Sequence, residues 1–162
     1  MELFPEQSGA TFSPDRTYRY ALWRIWDYTK TGIAFVGLNP STANESKDDP
    51  TIRRVISFAK SWGYGGVYML NLFAYVTPYP VVLKQCEDPI KNNDQYLRHY
   101  GFKADKVVFA WGNFDVFDRD KYVKAMFRTA YCLGQNANGS PKHPLYIKSD
   151  TPLKPFINNE SN

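Results

Sequence analysis

The sequence predicts an α/β fold with helices on both faces of a central, four-stranded, mostly parallel sheet, preceded by an N-terminal β-ribbon. Three observations carry this. Short continuous apolar runs recur at 33–38, 67–70, 107–111 and 130–133, as strands buried on both faces require. Segments of helical spacing separate them. Each of the first three runs ends at an Asn or Gly, where a chain leaves a sheet.

Taken in order, residues 1–16 read as an irregular lead-in punctuated by Pro5, Gly9 and Pro14. Residues 17–26 are rich in strand formers and, with Asp27–Gly32 as a turn, are expected to pair against the next strand or to form an edge ribbon. Ile33–Leu38 is the first buried strand. Asp49-Pro50-Thr51 then supplies an N-cap followed by Pro at the first helical position. Ile52, Val55, Ile56, Ala59 and Trp62 follow with helical spacing until Gly63. Val67–Leu70 is the second strand, 77–90 a long Pro-containing loop, and Asn93–Lys103 a helix. Lys106–Trp111 is the third strand. Asp118 is expected to cap a helix whose inner face is Tyr122, Val123, Met126, Phe127 and Ala130. A short fourth strand, the loop 134–144 carrying His143, and a Pro-punctuated tail complete the chain. No repeat or linker divides it, so one domain is expected over 1–162: an extension to 32, a core over 33–146, and a tail over 147–162.

Composition narrows the function. Hydrophobic residues at 43% and charged residues at 22% are ordinary globular values, which excludes a disordered chain. Aromatic residues at 17% and a net charge of +4 suit a nucleobase or polyanion partner without demanding one. Cys86 and Cys132 stand far apart with no partner motif, so neither a metal nor an iron–sulfur cluster has a ligand set; no cofactor is expected. No run is long enough to span a membrane and no signal peptide is evident, which predicts a soluble, cytoplasmic protein, a monomer in preference to an oligomer. A nucleophile elbow, a Walker loop and a dinucleotide-binding loop are all absent.

In a parallel sheet with right-handed crossovers the strands end along one edge, where ligands bind. Asn39, Asn71 and Asn113 follow the first three strands and His143 the fourth, so four polar groups are expected to converge there. Lys142 and Pro144 make the His143 loop cationic and stiff, which suits an anionic ligand or leaving group. Asp48 is a candidate for orienting a water, with Asp49 assigned to the cap.

These motifs resemble those of the uracil-DNA glycosylase superfamily. Ala34-Phe-Val-Gly-Leu-Asn-Pro40 is similar to its first motif, nearest the mismatch-specific thymine/uracil branch. Val67-Tyr-Met-Leu-Asn71, Val107-Val-Phe-Ala-Trp-Gly112 and Lys142-His143-Pro144 resemble its second, third and fourth, in the same order over about residues 33–146. The Asn-Pro-Ser-Thr-Ala and Trp-Gly-Asn motifs also resemble an uncharacterised bacterial and phage domain family. The resemblance implies a glycosylase-like fold and hydrolysis of the N-glycosidic bond of a flipped pyrimidine, modified or damaged, in DNA, without a metal. It implies that Asn39 positions the attacking water and that His143 bonds the departing base's oxygen. Asn71 and Asn113 would bind the base and Phe73 or Tyr75 would stack on it. Ser41, Arg53, Arg54 and Lys142 would contact phosphates, and Leu145 or Tyr146 would fill the place of the flipped base. Two other readings remain open at this point: a non-catalytic nucleobase- or nucleotide-binding module, and an enzyme of free nucleotides or nucleosides.

Overall fold

The computed structural model describes residues 7–158. Its core is built outward from the strand β3, Gly32–Gly37, in which every residue after Gly32 is buried. Side chains alternate across a strand, so Ile33 and Phe35 face one layer while Ala34 and Val36 face the other. The helix α1 (Pro50–Ser61) covers the first face through Ile52, Val55, Phe58 and Ala59. The helices α2 (Asn93–Lys103) and α3 (Arg119–Met126) cover the second through Leu97 and Val123. Fully buried residues such as Phe35 and Leu70 each contribute about 1.5–3 kcal/mol by leaving water. A strand buried on both faces is therefore apolar throughout.

The expected sheet was too small and too uniform. Seven strands form one mixed sheet in the order β1-β2-β4-β3-β5-β6-β7. At its middle β4 (Gly66–Asn71), β3, β5 (Val107–Phe109) and β6 (Tyr131–Cys132) run parallel. Antiparallel strands extend both sides: β2 (Arg19–Ile25) and β1 (Gln7–Phe12) beyond β4, and β7 (Lys154–Pro155) beyond β6. The lead-in, expected to be irregular, and the Pro-punctuated tail thus join the same sheet, and β2, expected against the next strand or as an edge ribbon, lies inside it between β1 and β4. Neither lead-in nor tail shows a strand pattern of its own. β1 lies flat against β2, and Gly9 is required because a Cβ there would fall 2.5 Å from the Trp23 ring. β7 contains Pro155 and is tolerated because it is an edge.

The helix ends follow their residues, with one correction. Asp49 caps α1 by accepting the Ile52 N–H at 2.9 Å, and Gly63 leaves it with φ +85°. Asp118 does not cap α3: its backbone is left-handed at φ +63°, and its carboxylate pairs with Lys121 at 3.3 Å. Tyr122, expected on the inner face, is exposed, and its hydroxyl receives a hydrogen bond from Arg98. The loop 77–90 contains a short 3-10 helix at Pro80–Lys84, and a second such turn at Pro144–Tyr146 follows His143. No helix among the described residues is long and apolar enough to cross a membrane.

Candidate functional site

The parallel strands β4, β3, β5 and β6 reproduce a doubly wound order: α1 returns the chain to one side of β3 and α2 carries it to the other. Such a reversal opens a crevice at the carboxyl ends of the strands. A cavity of about 450 Å³ occupies that place, within the range of roughly 300–1,000 Å³ that small-molecule sites fill.

Asn71, the last residue of β4, forms its floor. It is 3% exposed and lines the cavity, and among the described residues the side-chain hydrogen bond that reaches it goes to its backbone carbonyl and leaves the amide to the cavity. A buried amide in that condition is normally answered by hydrogen bonds. Its backbone is held from behind, where Asn93 Nδ2 donates to the Asn71 carbonyl at 2.8 Å and the Arg119 Nε donates to the Leu72 carbonyl at 2.9 Å. In front, Gly37 of β3 lies in register with Asn71; a Cβ on it would fall 2.8 Å from Asn71 Oδ1 and 2.7 Å from Met69 Cε. Glycine here is what makes room for the amide.

Asn39 leaves β3 two residues later and also lines the cavity. Its Nδ2 donates to the carbonyls of Thr77 at 2.8 Å and Pro40 at 3.0 Å. Both bonds fix the amide's orientation and leave Oδ1 as the free acceptor.

His143 stands opposite. Its Nδ1 accepts the Leu145 N–H at 3.2 Å, so in the neutral ring the proton sits on Nε2. Burial holds its pKa below the usual histidine value, which favours that neutral form. Gly112, with φ +78°, brings the end of β5 against the ring: a Cβ there would lie 3.4 Å from His143 Cβ. Arg54 braces the same loop from α1, donating to the carbonyls of Pro144 and Ile147.

The other sequence-derived candidates divide. Ser41 lines the cavity. Asn113 reaches its mouth but is exposed, and its Oδ1 accepts from Asn138 and Ser140, so it latches the 134–144 loop and does not read a guest. Phe73 and Tyr75 do not reach the cavity. Beyond β4 the chain turns inward, so Phe73 is 2% exposed against Phe117, and Tyr75 packs edge-on to Tyr18. The aromatic walls are instead Trp111, Phe114 and Tyr146. Arg54 is engaged with the backbone and Arg53 donates to the Asp48 carbonyl at 3.3 Å, which leaves Lys142, exposed beside the loop. Asp48 is held by Arg24 at 2.8 Å, away from the cavity.

Sequence reasoning missed Arg19 and Asp49 as lining residues. Arg19 is 3% exposed and donates to the Ala43 carbonyl at 3.1 Å. Burial pulls its pKa down to about 10, so it remains charged at neutral pH. The one signal was a charged residue at the head of an apolar strand. Asp49 is the one carboxylate in the cavity wall among the described residues, and it stands there because the cap of α1 does. Among the described residues no three His, Cys, Asp or Glu side chains gather as a metal site requires.

The model of a family described as proteins of unknown function, DUF1643, matches residues 19–145, and the chain belongs to that family. Of the residues lining the cavity, Tyr146 alone lies outside the matched span. No curated protein and no solved structure matches the chain.

Proposed function

We propose that this member of the family binds a pyrimidine nucleotide unit in the cavity and hydrolyses its N-glycosidic bond, the base having swung out of DNA. The observation that carries the reading is Asn71: a buried amide, able to donate and accept at once, that meets no partner among the described residues and lines a cavity of small-molecule size. A base edge presents the complementary donors and acceptors. The resemblance of the four strand-end motifs to the uracil-DNA glycosylase superfamily supports the same reading.

Cleavage builds positive charge on the sugar and negative charge on the departing base. The Nε2–H of neutral His143 donates to the base oxygen that gathers this charge, a preorganised stabilisation by a ring whose orientation the Leu145 N–H fixes. Oδ1 of Asn39, its amide fixed by the Thr77 and Pro40 carbonyls, accepts a hydrogen bond from the attacking water and holds its oxygen towards the sugar; the C–O bond forms as the C–N bond breaks, and the proton the water loses ends on the departing base. The Asp49 carboxylate supplies negative charge for the sugar's developing cation. Trp111 or Phe114 offers a face for the base.

Oligonucleotides carrying uracil, mismatched thymine or modified pyrimidines, treated with the protein and then with alkali, give strand scission on this reading. Asn39→Ala, Asn71→Ala and His143→Ala abolish it while leaving the fold intact. An absence of scission on every substrate, together with tight binding of free nucleotides, favours the free-nucleotide reading. One observation already leans that way: of the three basic residues expected on phosphates, Arg53 and Arg54 donate to backbone carbonyls. Affinity for DNA that falls steeply with salt argues against it.

A further inference from the structure

Three arginines are buried among the described residues, and two of them have their charge answered. Arg24 pairs with Asp48 at 2.8 Å and donates to the Trp23 and Asn44 carbonyls. Arg119 pairs with Asp94 and donates to the Leu72 carbonyl. Arg19 is the exception: the hydrogen bond of its guanidinium goes to the Ala43 carbonyl, its Nε has no partner, and no carboxylate of the described residues forms an ion pair with it. It is also the one of the three that lines the cavity.

A guanidinium removed from water is costly unless a negative charge meets it. Asp49, in the same wall, favours the charged form of Arg19 at a distance, but its Oδ1 accepts the Ile52 N–H. Around Arg19 the wall offers further donors. Ser41 and Thr51 line the cavity, and Thr51 stands in the first turn of α1, where the helix dipole favours an anion. The cavity wall thus provides a buried cation that no carboxylate of the described residues pairs with, flanked by two hydroxyl residues.

We propose that Arg19 is the specificity-determining residue of the cavity, receiving an oxyanion, a phosphate or a carboxylate, carried by the guest. The inference rests on the base-binding reading only in the choice of pyrimidine probes, and it requires no bond to be cleaved. A phosphate would place the anion on the sugar side of the guest; a carboxylate would place it on the base.

Calorimetric titration of the full chain separates these sources: 2′-deoxyuridine against its 5′-monophosphate, and uracil against orotate, which adds a carboxylate to the ring. At least one charged probe binds about tenfold or more tightly than its neutral parent, as a charge-assisted bond to a buried cation predicts. Arg19→Gln loses that advantage and Arg19→Lys keeps most of it. Unfolding midpoints check that both variants fold, and the wild-type comparison of charged with neutral probes stands without them. Equal binding of charged and neutral probes, binding of neither, or an advantage that survives in Arg19→Gln overturns the proposal. Scission of DNA without a charged-probe advantage overturns this inference and leaves the cleavage reading standing; the reverse result does the opposite.

Discussion

Gly37 and Asn71 are register partners across β3 and β4, and the missing side chain of one is the space occupied by the amide of the other. Gly37→Ala places a Cβ 2.8 Å from Asn71 Oδ1 and 2.7 Å from Met69 Cε. Both atoms end movable side chains, so overpacking is expected to cost about 1–3 kcal/mol. Ligand affinity is expected to fall further than stability, by more than about tenfold for the loss of one well-placed hydrogen bond to a buried group. Denaturant titration and ligand titration of the same variant separate the two; an intact site in a stable Gly37→Ala protein would contradict the close approach.

His143 sets an acid limit. Burial depresses its folded pKa below the ordinary histidine value of 6.5, so the unfolded chain binds the proton more readily. Its contribution to stability is therefore present above about pH 6.5 and is lost as pH falls through the folded value. Activity that depends on the neutral Nε2–H donor follows the same direction: level at neutral pH, falling on the acid side below 6.5. A pH–rate profile whose acid limb has its midpoint above 7 would exclude neutral His143 as the donor.

Arg54 is a discriminating position. Read as a phosphate contact, its removal should lower the salt dependence of DNA binding by about one unit of slope. Its bonds to the Pro144 and Ile147 carbonyls make it a brace of the His143 loop. Arg54→Ala is accordingly expected to cost about 1–3 kcal/mol in stability and to reduce turnover, with the salt slope unchanged. Binding measured across a salt series decides between the two roles.

Asp48 and Asp49 are neighbours with opposite expectations. Asp48→Ala removes the partner of buried Arg24 and should destabilise by about 1–3 kcal/mol, with activity per folded molecule retained. Asp49→Asn keeps a good helix cap, so stability changes by only a few tenths of a kcal/mol, but it removes the one carboxylate lining the cavity among the described residues. Activity should fall in that variant. Specific activity normalised to folded protein, with unfolding midpoints, tests both.

Much of this arrangement is legible in the chain because local rules govern it. Ile33–Leu38 and Val67–Leu70 are apolar throughout because helices cover both faces of their strands. Asp49-Pro50 starts α1 through a bond between residues three apart. Placing Asn39, Asn71 and His143 on one edge follows from crossover handedness alone, and all three line the cavity. Where these rules stop, partners distant in sequence decide. β1 exists because β2 offers it an edge, β7 because β6 does, and neither sequence carries the evidence. Phe73 and Tyr75 lie within four residues of Asn71, yet they leave the site because the backbone turns inward after β4.

The sequence by itself determined the alternation of buried strands and helices and the edge on which polar residues gather. Periodicity and handedness are properties of the chain, and they act over a few residues. Tertiary structure alone decided which of those residues are free to meet a guest. Asn71 and Arg19 line the cavity, and the Arg19 Nε has no hydrogen-bond partner, while Arg54, Asn113 and Asp48 are engaged by groups distant in sequence. A hydrogen bond or an ion pair depends on where its partner lies in space, and sequence separation does not record that.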